Sequence, residues 1–121
     1  MTEGENSKQY DLENRTEAFA KRCRQLIRRL PRTITNIEDA KQLARASGSI
    51  AANYIEANES LSKKDFRVRV KISRKESKES RLFLRLLCID EKDGLDEERA
   101  ALVQEATELM NIFGAILRKT E

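Results

Sequence analysis

The chain has 121 residues, of which 37% are charged and 5% aromatic, with a formal net charge of +3, one proline and four glycines. That length supports a single core without crosslinks, and so charged and turn-poor a composition excludes a β-sandwich or barrel in favour of well-solvated helices. No apolar run is long enough to span a bilayer, the opening MTEGENSKQY has no apolar signal-peptide region, and the lack of any histidine removes the carboxylate–histidine metal sites that helical bundles often house.

Residues 1–11 show no periodicity and are expected to form a disordered tail, leaving 12–121 as the folded domain. A first helix is predicted from near Leu12 to Leu30, with Phe19, Cys23, Leu26, Ile27 and Leu30 on one face and Arg15, Arg22 and Arg29 recurring at heptad spacing away from it. Pro31 stops it. Thr35-Asn36-Ile37-Glu38 has the form of a capping box, which sets the second helix from about Asn36 to Asn58. Gly48 inside that helix costs about 1 kcal/mol against alanine, which suggests a close approach by another backbone; a glycine that is merely tolerated is the equal alternative.

A third helix is predicted from the cap Ser62-Lys63-Lys64-Asp65 to about Ile89, with Leu61 and Phe66 at the two positions of a hydrophobic staple. Residues 66–72 alternate apolar and basic as a strand would. The preceding cap and the uninterrupted helical period after them argue for helix. Residues 90–94 read as a turn, and Leu95-Asp96-Glu97-Glu98 opens a fourth helix, with acids where the helix dipole favours them. Leu102, Ala106, Leu109, Phe113 and Leu117 form its apolar face. Four helices joined by short connections predict an all-α, antiparallel up-down-up-down four-helix bundle.

The third helix carries two apolar stripes. Phe66, Val70, Ser73, Ser77, Ser80, Leu84 and Leu87 follow a heptad and form the predicted core seam. Val68, Ile72, Phe83 and Leu86 lie off it and make a candidate oligomer interface, because one stripe suffices for a monomeric bundle and a second would be left in water. A core broad enough to absorb both is the alternative. Charge is also uneven: ten Lys or Arg against three acids between Lys63 and Arg85, and eight acids against two bases between Asp90 and Glu108. Arg67, Lys71, Arg74, Lys78, Arg81 and Arg85 form a stripe suited to tracking the phosphates of RNA or DNA. Salt bridges to the acidic fourth helix, within or between subunits, explain the same stripe equally well.

Catalytic apparatus is missing from the pattern. There is no P-loop, dinucleotide glycine motif or Cys-x-x-Cys pair, and neither Cys23 nor Cys88 has a histidine to deprotonate it. Both cysteines fall among apolar residues and are expected to be buried, reduced thiols, which points to the cytoplasm. Glu56, Glu76 and Glu79 lie among basic residues and read as salt-bridge partners rather than metal ligands. No enzyme activity, cofactor, metal or small-molecule substrate is expected.

Gln42, Leu43, Arg45, Ala46, Ser49, Ile50, Ala52, Asn53 and Glu56, followed by EANESLSKKDF and RVRVKISRKESKESRLFLRLL, resemble the signature of the four-helix bundle proteins encoded in 23S rRNA intervening sequences. The similarity spans roughly residues 12–119. Alanine stands at 51 and 57 where many relatives have proline and glycine, and Ser47, Ser73 and Ser77 replace small apolar residues. The resemblance implies a small cytoplasmic bacterial protein that assembles as a homopentameric ring and has no defining enzyme activity. A related branch, the accessory variability proteins of diversity-generating retroelements, binds nucleic acid, which makes RNA or DNA a second implied partner.

Overall fold

The second and third helices each start where a side-chain hydroxyl satisfies an orphan amide. The computed structural model describes residues 3–90 and 94–121, with side chains described from residue 11 onward. Its four helices are α1 (Glu3–Arg28), α2 (Ile34–Asn58), α3 (Lys63–Leu86) and α4 (Leu95–Lys119). Ser62 caps α3 as its sequence predicts, its hydroxyl accepting from the Asp65 amide at 3.1 Å. For α2 the cap is Thr33, not Thr35: the Thr33 hydroxyl accepts from the Asn36 amide at 3.1 Å. The earlier start turns Asn36 inward, where it is 2% exposed and has work to do. The Leu61–Phe66 staple does not form, because Leu61 is 100% exposed while Phe66 packs against the core.

The backbone of α1 is helical from Glu3, earlier than the predicted start near Leu12 and through most of the segment read as a disordered tail. Apolar periodicity begins only at Leu12, so a helical extension ahead of it leaves no pattern for the sequence to reveal. The predicted turn at 90–94 falls largely on residues 91–93, which lie outside the described residues. Gly94 takes a left-handed φ of 70°, a conformation that glycine adopts without the Cβ clash other residues meet. Helix α4 then opens on Asp96, Glu97 and Glu98 and ends on Arg118 and Lys119, charges that complement both ends of its dipole.

Each helix packs against its neighbours in sequence, and α1 closes the ring against α4; among the described residues no diagonal pair meets. This is the predicted antiparallel four-helix bundle, all-α over the described residues, with residues 66–72 inside α3. The α2–α3 and α3–α4 contacts are the most extensive. Phe19, Leu26, Leu43, Ile50, Val70, Leu84, Leu102, Leu109 and Phe113 are fully buried, and the Tyr54 and Phe113 rings meet at 5.7 Å with a tilt of 52°. Tilted aromatic pairs of this kind place a ring edge toward a ring face.

The α3 seam is buried as predicted from Val70 to Leu87, and its serines face the core. Ser73 donates to the Ile50 carbonyl at 3.0 Å and Ser77 to the Ser73 carbonyl at 2.8 Å. Among the described residues the Ser80 hydroxyl has no partner. The ends of α2, α3 and α4 are tied by polar contacts. Asn36 donates to the Pro31 and Cys88 carbonyls (2.9 and 2.8 Å) and accepts from the Cys88 amide at 2.8 Å. Arg99 donates to the Leu84 and Leu87 carbonyls at 3.2 and 2.7 Å, satisfying acceptors that the end of α3 leaves open. Gly48 meets not another backbone but the Arg24 guanidinium, 3.1 Å from where a Cβ would stand; Arg24 reaches across to donate to the Ala44 carbonyl and Ser47 hydroxyl.

Candidate interaction surface

The residues that resemble a family signature have a plain structural task on one edge of α2. Leu43, Ala46 and Ile50 are fully buried and anchor the helix in the core. Arg45 reaches α3, donating to Glu76 at 3.2 Å and to Glu79 at 2.9 Å, and its Nε also donates to the side-chain oxygen of Gln42 at 3.4 Å. The hydrogen bond to Glu79, then the field of Glu76, raises the Arg45 pKa further above its ordinary value. Asn53 donates to the Ser49 carbonyl and hydroxyl, both at 3.0 Å, and accepts from Arg69 of α3 at 3.0 Å. These contacts clasp α2 to α3 at the margin of the buried seam. Ala52 and Glu56 point to solvent.

With the seam of α3 buried, its outward stripe is set. Val68 is 48% exposed and Leu86 50% exposed, while Ile72 is half-buried. Phe83 turns partly inward and packs against the core cluster. Leu82, which the sequence reading did not single out, is 50% exposed and lies in line with the others. Steps of three and four from Val68 and Ile72 lead through Lys75 and Glu79 to Leu82 and Leu86, so the same spacing could have found it. Leu61 joins Val68 and Ile72 in lining an open cleft rimmed by Glu56, Glu59 and Asp65.

The basic stripe divides in two. Arg67 donates at 2.6 Å both to the Leu117 carbonyl and to the Thr120 hydroxyl, closing the C-terminal end of α4, and Arg81 donates to the Thr107 hydroxyl at 3.5 Å. Arg74 lies over Gly114 of α4, its Nε 3.7 Å from where a Cβ would stand. Among the described residues Lys71, Arg74, Lys78 and Arg85 make no hydrogen bond or ion pair, and all four are exposed. The acids of α4 pair elsewhere. Arg15 of α1 forks onto Glu105 with two bonds of 2.7 Å and reaches Glu108 at 3.0 Å, and Arg22 pairs with Glu98 at 3.2 Å. The Glu105 hydrogen bonds hold the Arg15 pKa above its usual range. Within one chain, salt bridging to α4 therefore does not account for the basic stripe; α1 takes those carboxylates.

Near the N-terminus of α3, Lys63, Lys64, Arg67 and Lys71 line a second open cleft with Val68, Thr120 and Glu121. Glu76 and Glu79, weighed as metal ligands, are both held by Arg45, and among the described residues no three His, Cys, Asp or Glu side chains gather as a metal site requires. Both cysteines are free thiols. Cys23 is buried as expected, and burial pushes its pKa up to about 12, which keeps it protonated and unreactive. Cys88 is exposed, contrary to expectation, because α3 ends at Leu86 and Asn36 holds the following backbone at the surface. No helix of the described residues is long and apolar enough to cross a membrane.

The sequence model of the 23S rRNA-intervening sequence proteins matches residues 8–115. Among solved structures, the chain is similar to a protein of unknown function from the S23 ribosomal protein family of Bacteroides thetaiotaomicron. The two are 24% identical over 88% of this chain and 97% of that one, with a TM-score of 0.73. At that identity the likeness speaks for the fold. No curated protein matches the chain.

Proposed function

Since the chain belongs to the 23S rRNA-intervening sequence protein family, a family of helical bundles with no assigned task, we propose that it acts by self-assembly and not by catalysis. The observation that carries this reading is the outward face of α3, where Val68, Ile72, Leu82 and Leu86 stay in water in the single chain. Burying such a stripe against another subunit recovers about 25 cal/mol for each Å² of apolar surface removed from water. A second exposed apolar pair, Ile34 (85%) and Ile37 (39%), lies at the start of α2 and offers a separate contact for closing a ring. The assembled form suggested by the resemblance is a cytoplasmic homopentamer. Sedimentation at micromolar concentration tests the proposal: a species several times 14.0 kDa is expected, and a clean monomer refutes it.

The unpaired cations Lys71, Arg74, Lys78 and Arg85 favour a second reading, in which the assembled protein binds RNA or DNA as an accessory factor. Phosphate contacts release counterions, so retention of nucleic acid must fall steeply with added salt. Replacing Lys71, Lys78 and Arg85 together by glutamine is expected to abolish retention without altering the fold, since none of the three holds another residue. Binding unchanged in that variant excludes this face.

A further inference from the structure

The outward face of α3 has an internal symmetry. Its members, in order, are Val68, Ile72, Lys75, Glu79, Leu82 and Leu86, at successive steps of four, three, four, three and four residues. The steps read the same from either end, and so does the chemistry: two apolar residues, a pair of opposite charges, two apolar residues. Resting on the self-assembly reading, we propose that this face is a self-complementary seam. Two copies of α3 pack antiparallel about a two-fold axis, setting Val68 against Leu86 of the second copy, Ile72 against its Leu82, and Lys75 against its Glu79.

The charges choose the direction. In a parallel pair Lys75 would face a second Lys75 and Glu79 a second Glu79, whereas the antiparallel pair brings each cation to an anion. Within one chain Glu79 takes its short bond from Arg45 through one oxygen, at 2.9 Å, while its other oxygen is only loosely matched to Lys75, 3.9 Å away, and Lys75 keeps 68% of its side chain exposed. Stacking two copies completes a square of four alternating charges between two apolar clusters. Lys71 and Lys78 of the two copies then share one margin, where their long stems keep the ammonium groups in water. A two-fold contact closes on itself, so it joins two chains and cannot propagate; a ring built through another face would be joined by it to a second ring.

Disulfide trapping tests the register. The background is Cys88→Ser, which removes the exposed thiol and leaves buried Cys23 in place. Ile72 and Leu82 lie about 15 Å apart along one helix, from the helical rise of 1.5 Å per residue, far beyond the Cα separation of about 7 Å that a disulfide can span. The antiparallel seam brings position 72 of one copy opposite position 82 of the other. Ile72→Cys with Leu82→Cys is expected to yield a covalent, thiol-reversible dimer on mild oxidation. Either substitution alone leaves its two thiols about 15 Å apart and crosslinks at least about tenfold more slowly. A double variant no faster than the singles overturns the seam. Lys75→Glu, at an exposed position that the fold does not need, provides an independent check: the two-fold axis makes it remove both Lys75–Glu79 pairs at once, so it is expected to weaken association by at least about tenfold, and unchanged association overturns the seam. Sedimentation of the unsubstituted chain separates the two levels. An assembled chain that fails to crosslink rejects the antiparallel register alone, and a monomer rejects self-assembly with it.

Discussion

Replacing Asn36 by alanine is expected to destabilise the bundle more than its place in the first turn of α2 suggests. Its side chain makes three hydrogen bonds of 2.8 to 2.9 Å, to the Pro31 carbonyl and to both backbone groups of Cys88, and it is 2% exposed. One residue thereby joins the α1–α2 connection, the start of α2 and the segment after α3. Each such bond contributes about 1 kcal/mol net, and an abandoned buried partner costs about as much again. Water can reach part of the site, because neighbouring Cys88 is exposed, so the loss should settle at about 3 kcal/mol rather than at the upper end of that range. Out of the 5 to 15 kcal/mol, roughly, that holds a domain together, this is a large fraction. Urea denaturation followed by helical circular dichroism, at one fixed protein concentration, should show a lower midpoint with an unchanged slope. Asn36→Asp is expected to be at least as damaging, since a carboxylate would face two carbonyl oxygens. A loss below about 1 kcal/mol for either variant would refute the argument that this side chain braces three segments.

Ser80 points its hydroxyl into the core without a partner among the described residues, so Ser80→Ala should stabilise by about 1 kcal/mol, read as a higher urea midpoint. Thr33→Ala should cost about 1 kcal/mol as the loss of a helix cap, while Thr35→Ala, at an exposed position without a cap bond, should change the midpoint little; the reverse order would place the cap at Thr35. Native protein should take up one equivalent of a thiol reagent at Cys88, with Cys23 reacting only on unfolding, which mass spectrometry of labelled peptides checks. The Cys23 thiol, raised from 9.0 to about 12 by burial, binds its proton more tightly folded than unfolded. Its contribution to stability is therefore complete below about pH 9 and lost progressively up to about pH 12, and Cys23→Ala should flatten that part of the alkaline stability profile.

Local pattern was enough for the helices. The heptad Val70, Ser73, Ser77, Ser80, Leu84 and Leu87 identifies the buried face of α3 whatever lies opposite, and the Ser62 cap fixes its start, because both depend only on residues a turn or two apart. The same local order carries the family signature from Gln42 to Glu56. What the sequence by itself determined was thus four amphipathic helices and their membership. The tertiary structure alone decided the partners. Helix α1, and not α3, takes the carboxylates of α4, leaving Lys71, Lys78 and Arg85 unpaired. Asn36 is drawn inward by the backbone of Cys88, which moves the cap of α2 to Thr33. Phe83 leans onto the core while its neighbour Leu82 faces out, a choice made by how the seam of α3 packs between α2 and α4. The physical reason is one of range: periodicity is written within a few residues, but a long charged side chain selects its partner from whichever helix packing brings within reach.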